Sequence, residues 1–190
     1  MKLLNDNTWY KTSGITMDEL ELTFLVKAVP AGVKNAPAKE IVDMYLPISA
    51  AHPTLRIRRA GERYEITKKQ PLRADDASHQ RETTVLLTAE EYAAFEHLHA
   101  KRIVKTRYYY VHEGTTYEFG VFKGALAGLI LVDIEFERAE EKQNFVAPDF
   151  CLADVTQEDF IAGGMLAGKT YADIAKDLAR FGYKKFAPDA

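Results

Sequence analysis

Along Glu19-Leu20-Glu21-Leu22-Thr23-Phe24-Leu25-Val26-Lys27, polar and apolar side chains alternate. In a strand, successive side chains point to opposite faces. Glu19, Glu21, Thr23, Leu25 and Lys27 therefore share one face, and Leu20, Leu22, Phe24 and Val26 the other. The two carboxylates stand about 7 Å apart at roughly 3.3 Å per residue, and Lys27 follows Thr23 by about 13 Å. The same period gives Arg56 and Arg58 a common face, and Glu65, Thr67 and Lys69 another. Lys105 pairs in this way with Arg107, Glu118 with Gly120, and Asp133 with Glu135 and Glu137. Any one of these segments could be an ordinary strand with a wet face; their repetition, with acids and cations sorted by strand, is what solvated faces seldom show.

Arg56, Arg58, Lys69, Lys105 and Arg107 suit a linear polyphosphate, whose oxygens accept charge-assisted hydrogen bonds from guanidinium and ammonium groups. Carboxylates beside them would repel that ligand unless a divalent cation stood between. Mg²⁺ and Mn²⁺ are hard ions held by one or two carboxylates together with phosphate oxygens and water. Glu19, Glu21, Glu135 and Glu137 are the candidate ligands, with Lys27 a more distant cation for the substrate. Phosphoryl transfer asks mainly for positioning and charge neutralisation around an in-line attack. Glu118 or Glu65 could orient the attacking water. The competing reading of each arginine is a salt bridge to a facing glutamate.

The elements that must position these groups are eight strand candidates, at about 18–27, 44–49, 54–60, 63–69, 81–87, 102–112, 115–122 and 129–137. Ala60-Gly61-Glu62 and Glu113-Gly114 read as hairpin turns. Residues 38–43 read as a short helix and Pro71 to His79 as a polar loop. Thr88 with Glu91 forms a capping box for a helix carrying Tyr92, Phe95 and Leu98. From 138 the pattern turns helical: a charged helix to about Asn144, a short helix near 157–162, the pair Gly163-Gly164, and a last helix capped by Thr170. Hairpin-linked strands favour closure, since a barrel removes unpaired edges. The expected class is α+β: an eight-stranded antiparallel barrel with covering helices and a C-terminal helical segment. Residues 1–18 read as an N-terminal extension and 19–190 as a single tunnel domain. Eight strands leave an interior just wide enough for side chains or one small ligand.

Composition narrows the alternatives. With 190 residues, 47% hydrophobic and 28% charged, the chain can bury a sizeable core. A net charge of −3 argues against a chain-wide polyanion binder, so the four arginines between Leu55 and Arg63 do not point to nucleic acid. The lone Cys151 excludes an intrachain disulfide and fits a reducing compartment. No apolar run approaches the ~20 residues of a membrane span, and Met1 to Asp18 lacks the apolar core of a secretory signal, so the cytoplasm is the expected location. His52, His79, His97, His99 and His112 show no metal-ligand spacing. Oligomeric state is open, with a homodimer among the alternatives.

The Glu19-x-Glu21 strand ending Phe24-Leu25-Val26-Lys27, the Leu55-Arg56-Ile57-Arg58 to Thr67-x-Lys69 hairpin and the Lys105-Thr106-Arg107-Tyr108 strand resemble, in order, the motifs of the CYTH domain. So do Gly124-Ala125-Leu126-Ala127-Gly128-Leu129, the closing Glu135-Phe136-Glu137 and the late Gly163-Gly164-Met165-Leu166-Ala167. The resemblance to these triphosphate tunnel metalloenzymes runs from about Glu19 to Leu166. It implies an eight-stranded tunnel, Mg²⁺ or Mn²⁺ dependence, and a triphosphate substrate: inorganic triphosphate, thiamine triphosphate, a nucleoside triphosphate, or ATP cyclised as by class IV adenylate cyclases. Two positions depart from the family pattern. Thr23 stands at the lysine of Glu-x-Glu-x-Lys, and Gly120 at the aspartate of Glu-Leu-Asp-Val-Phe. Loss of a cation and an acid together would leave the tunnel balanced if the two were partners. Hydrolysis of the terminal phosphate is the expectation, with cyclisation or non-catalytic triphosphate or nucleotide binding as alternatives.

Overall fold

Alternating side chains sort themselves into two faces only if the strands find partners, and all nine strands among the described residues do. A computed structural model of the chain describes residues 14–187. It contains β1 (Ile15–Val26), β2 (Ala38–Leu46), β3 (Leu55–Ala60), β4 (Arg63–Arg73), β5 (Asp76–Leu87), β6 (Lys101–His112), β7 (Thr115–Phe122), β8 (Ile130–Phe136) and β9 (Cys151–Asp154). The sheet order is β5-β4-β3-β2-β6-β7-β8-β1-β9, and a further antiparallel β1–β5 pairing closes the first eight strands into a barrel. Strand β9 lies outside, against Phe24–Val26. Strand β1 joins the ends of the sheet: Ile15 to Leu20 pair with β5, and Leu20 to Leu25 with β8.

Two apolar patches of the outward face are covered. Phe24, Phe119, Val132 and Ile134 pack with Phe145 and Phe150 from the chain around and after α2 (Ala139–Gln143). Met44 and Ile57 lie under Tyr92 of α1 (Ala89–Glu96). That helix starts where the capping box places it, Thr88 Oγ1 accepting from the Glu91 N–H at 3.1 Å and Glu91 accepting from the Thr88 N–H at 2.8 Å.

The inward face changes character along the barrel. At one end it is apolar, with Leu25, Tyr45, Ile103, Phe122 and Leu131 joined to Phe160, Ile161 and Leu166 in one cluster. The C-terminal segment, α3 (Gly163–Leu166) and α4 (Tyr171–Ala179), therefore stoppers that end rather than coating the wall. This explains why Leu25, on the acidic face of β1, is fully buried. Gly163 and Gly164 make the close fit: a β-carbon on Gly163 would lie 2.0 Å from the Tyr45 hydroxyl, and one on Gly164 2.2 Å from the Pro53 carbonyl.

Four expectations change. Residues 38–43 are strand, because Ile41 and Asp43 alternate inward and pair with β3 and β6. The Pro71 to His79 loop is mostly the extended ends of β4 and β5, turned at Ala74 and Asp75. Ile15 to Asp18 belong to β1, not to an extension; the rest of that proposed extension, residues 1–13, lies outside the described residues. Strand β9 is too short for its period to show in the sequence. No helix among the described residues is long and apolar enough to cross a membrane.

Candidate active site

Inside the barrel, a cavity of about 800 Å³ is lined by the inward faces of β1 to β6 and β8, by Phe122 of β7 and by the stopper. Arg56 and Arg58 enter from β3, Lys69 from β4, and Lys105 and Arg107 from β6. Register fixes their neighbours. Asp43 stands opposite Arg58, and its two oxygens accept from Arg58 Nε at 2.6 Å and Nη2 at 2.8 Å. Burial alone would raise the Asp43 carboxyl, but Arg58 holds it well below the usual range. Arg56 is looser, with Glu82 at 3.8 Å and Glu65 at 3.9 Å. Arg107 sits between Glu118 and Asp133, the latter accepting at 3.2 Å. Lys69 joins Glu19 and lies 3.3 Å from Glu82.

Two donors in this wall are unmet. Arg56 Nε and Arg107 Nε are buried without a hydrogen-bond partner. Buried guanidinium N–H groups normally find acceptors, so a lumen that leaves two of them open is shaped for an anion.

The opposite wall is acidic. Glu21 pairs in register with Glu135, and Glu19 lies two residues along the same face. Oxygens of Glu19, Glu21 and Glu135 come within 4.8 Å of one another. Burial lifts the Glu21 carboxyl to about 8 against the pull of Lys69, with Asp133 and Glu19 adding to the rise. Burial also raises Glu135, helped by Glu118 and Glu19. Converging carboxylates that would rather hold a proton than share their charge fit a hard divalent cation, which satisfies them together.

Placement of the remaining candidates is mixed. Glu65 is buried in the cavity wall and accepts from Arg63 Nε at 2.9 Å, so it is already engaged. Burial lifts the Glu118 carboxyl despite adjacent Arg107. Glu137 does not join the acidic trio: β8 ends at Phe136, and Glu137 lies exposed beside a shallower hollow with Glu141. Lys27 is also outside, exposed one residue past the end of β1. Thr23 and Gly120 are not partners, because β8 runs between their strands. The Thr23 hydroxyl instead donates to Asp133 at 2.9 Å, and Gly120 faces Arg107 and Leu131 in register.

Sequence reasoning passed over Asp43, Glu82 and Asp133 as site residues. Asp133 was on the same face as Glu135, and Glu82 shares its face with Thr84 in β5, so the alternation signal existed for both. Asp43 was hidden by reading its segment as helix.

No protein-family model matches the chain. An inorganic triphosphatase of Nitrosomonas europaea is 28% identical over 145 residues, covering 75% of this chain and 91% of that one. A crystal structure of an inorganic triphosphatase superposes with a TM-score of 0.57 at 26% identity, over 78% of this chain and 93% of that one. A second crystal structure of that protein gives a TM-score of 0.58 at 26% identity, over 80% and 99%. The closed eight-stranded barrel, together with similarity that spans nearly the whole length of these inorganic triphosphatases, supports a CYTH-type protein.

Proposed function

We propose that the chain is a divalent-metal-dependent triphosphatase that releases the terminal phosphate of inorganic triphosphate or a related organic triphosphate. The observation that carries the reading is the coexistence, in one cavity, of two unpartnered buried arginine Nε groups and three converging carboxylates. The similarity to inorganic triphosphatases supports it.

Arg56 and Arg107 would take phosphate oxygens with their open N–H groups, and Arg58, Lys69 and Lys105 would add charge along the chain. Asp43 already fixes Arg58 in place, so that guanidinium meets the anion without reorganising. Glu19, Glu21 and Glu135 would hold Mg²⁺ or Mn²⁺, which supplies neutralisation of phosphate charge and a more acidic bound water. Glu118, on the strand beside β8 and close enough to Glu135 to raise its carboxyl, would orient a water and accept its proton. The stopper excludes bulk water from one end of the cavity, where charge interactions consequently strengthen.

A non-catalytic triphosphate-binding module is the second reading, favoured by one observation: the Thr23 hydroxyl occupies Asp133 at a position where the resemblance would place a cation. Phosphate release from inorganic triphosphate, thiamine triphosphate and ATP, with Mg²⁺, with Mn²⁺ and after chelation, decides between them. Metal-dependent release that Arg56→Ala and Glu21→Gln abolish supports hydrolysis. Tight binding without release supports the module, and no binding of any triphosphate overturns both.

A further inference from the structure

Lys105 differs from the other lumenal cations. It is buried, 8% exposed, yet among the described residues no hydrogen bond or ion pair takes up its ammonium. Its Nζ lies 5.3 Å from the centre of the Phe122 ring. Its Cδ and Nζ come within 3.3 and 3.4 Å of the point where a β-carbon on Gly120 would stand. Gly120 is in regular strand, outside the positive-φ residues, so the backbone does not demand a glycine there. What the glycine supplies is space, and Lys105 fills it.

The surrounding charges explain why. Facing Lys105 are Asp43 from β2, Arg58 from β3, Glu118 from β7 and Asp133 from β8, with Arg107 on its own strand. Each carboxylate is committed to a guanidinium: Asp43 to Arg58, and Glu118 and Asp133 to Arg107. Burial and then the Arg107 charge push the Lys105 ammonium down to about 8. A cation so placed has an aromatic face and a hollow for company, and no counter-charge of its own.

We infer that Gly120 is a positioning residue: the hollow it leaves in β7 lets Lys105 lie back against Phe122 and so sets how far its ammonium must move to meet a phosphate oxygen. The inference rests on the triphosphate reading above. Filling the hollow would hold Lys105 forward and strengthen anion binding without adding any contact from residue 120 itself.

Calorimetric titration with inorganic triphosphate tests this in the natural protein, Gly120→Ala, Gly120→Val, Lys105→Met and the Gly120→Val, Lys105→Met pair. The alanine asks only a few tenths of an ångström of a flexible side chain, and the valine occupies the hollow. Affinity is expected to tighten about twofold with alanine and about tenfold with valine, the second being what one charge-assisted contact adds. The gain should vanish in the Lys105→Met background, a dependence that a merely structural role would not produce. Unchanged or weakened affinity in a folded Gly120→Ala protein, or equal shifts in both backgrounds, overturns the inference. Failure of the natural protein to bind triphosphate at all would instead bring down the functional reading, and this one with it.

Discussion

Asp43 grips Arg58 through both carboxylate oxygens inside the barrel, at 2.6 and 2.8 Å, from adjacent strands in direct register. The pair is nearly sealed from solvent, with Asp43 2% exposed and Arg58 9%. Removing one partner of such a pair strands the other as an uncompensated buried charge. Asp43→Ala is expected to cost about 3–5 kcal/mol of unfolding free energy in denaturant titration. Asp43→Leu combined with Arg58→Met should lose much less, because no lone charge remains.

Arg56 makes the opposite prediction. Its carboxylate neighbours are 3.8 and 3.9 Å away and its Nε is unmet, so its ties to the fold are weaker than those of Arg58 and it keeps a donor open to the cavity. Arg56→Met should destabilise less than Arg58→Met while weakening inorganic triphosphate binding about tenfold to a hundredfold, as read by calorimetry. Equal losses of stability in the two variants would refute the distinction.

Glu21 sets a pH dependence. Its carboxyl is raised from 4.5 to about 8, so the folded protein holds a proton there that the unfolded chain releases. Its stabilising contribution is therefore full below about 4.5 and is lost as pH rises through about 8. A metal bound there would displace that proton, so on the proposed reading Mn²⁺ affinity should rise up to tenfold per pH unit between about 6 and 8 and then level off. Glu21→Gln should flatten the stability profile over this range and abolish tight Mn²⁺ binding.

At the stopper, Gly163→Ala should destabilise by about 1–3 kcal/mol, since its methyl group would collide with the Tyr45 hydroxyl. Tyr45→Phe in the same chain should recover part of the loss in thermal melts. If Tyr45→Phe recovers nothing, the contact is not what constrains Gly163.

The barrel was legible because period-two alternation survives in single strands, and Glu19, Arg56, Arg107 and Glu135 all reach the lumen that alternation predicted. Strand ends were not. Glu137 and Lys27 keep the right parity but fall past the last paired residue, where the chain turns away. Asp43 escaped because Ala38 to Asp43 is compatible with either helix or strand, and only pairing with Arg58 and with β6 settles the choice. The stopper was equally hidden: alternation continues unbroken into Leu25, Ile103 and Leu131, and nothing local marks where a charged lumen becomes an apolar socket for distant Phe160 and Leu166. Short β9 left no periodic trace, because its partner rather than its composition makes it a strand.

Strand β1 carries Glu19 and Glu21 and is also the seam along which β5 and β8 are joined. Chemistry and closure thus share one set of backbone amides. Occupancy of the acidic wall by Mn²⁺ should slow hydrogen exchange along the whole joint, from Ile15 to Leu25 and across into β5 and β8, whereas α1, which only coats the outside, should exchange at an unchanged rate.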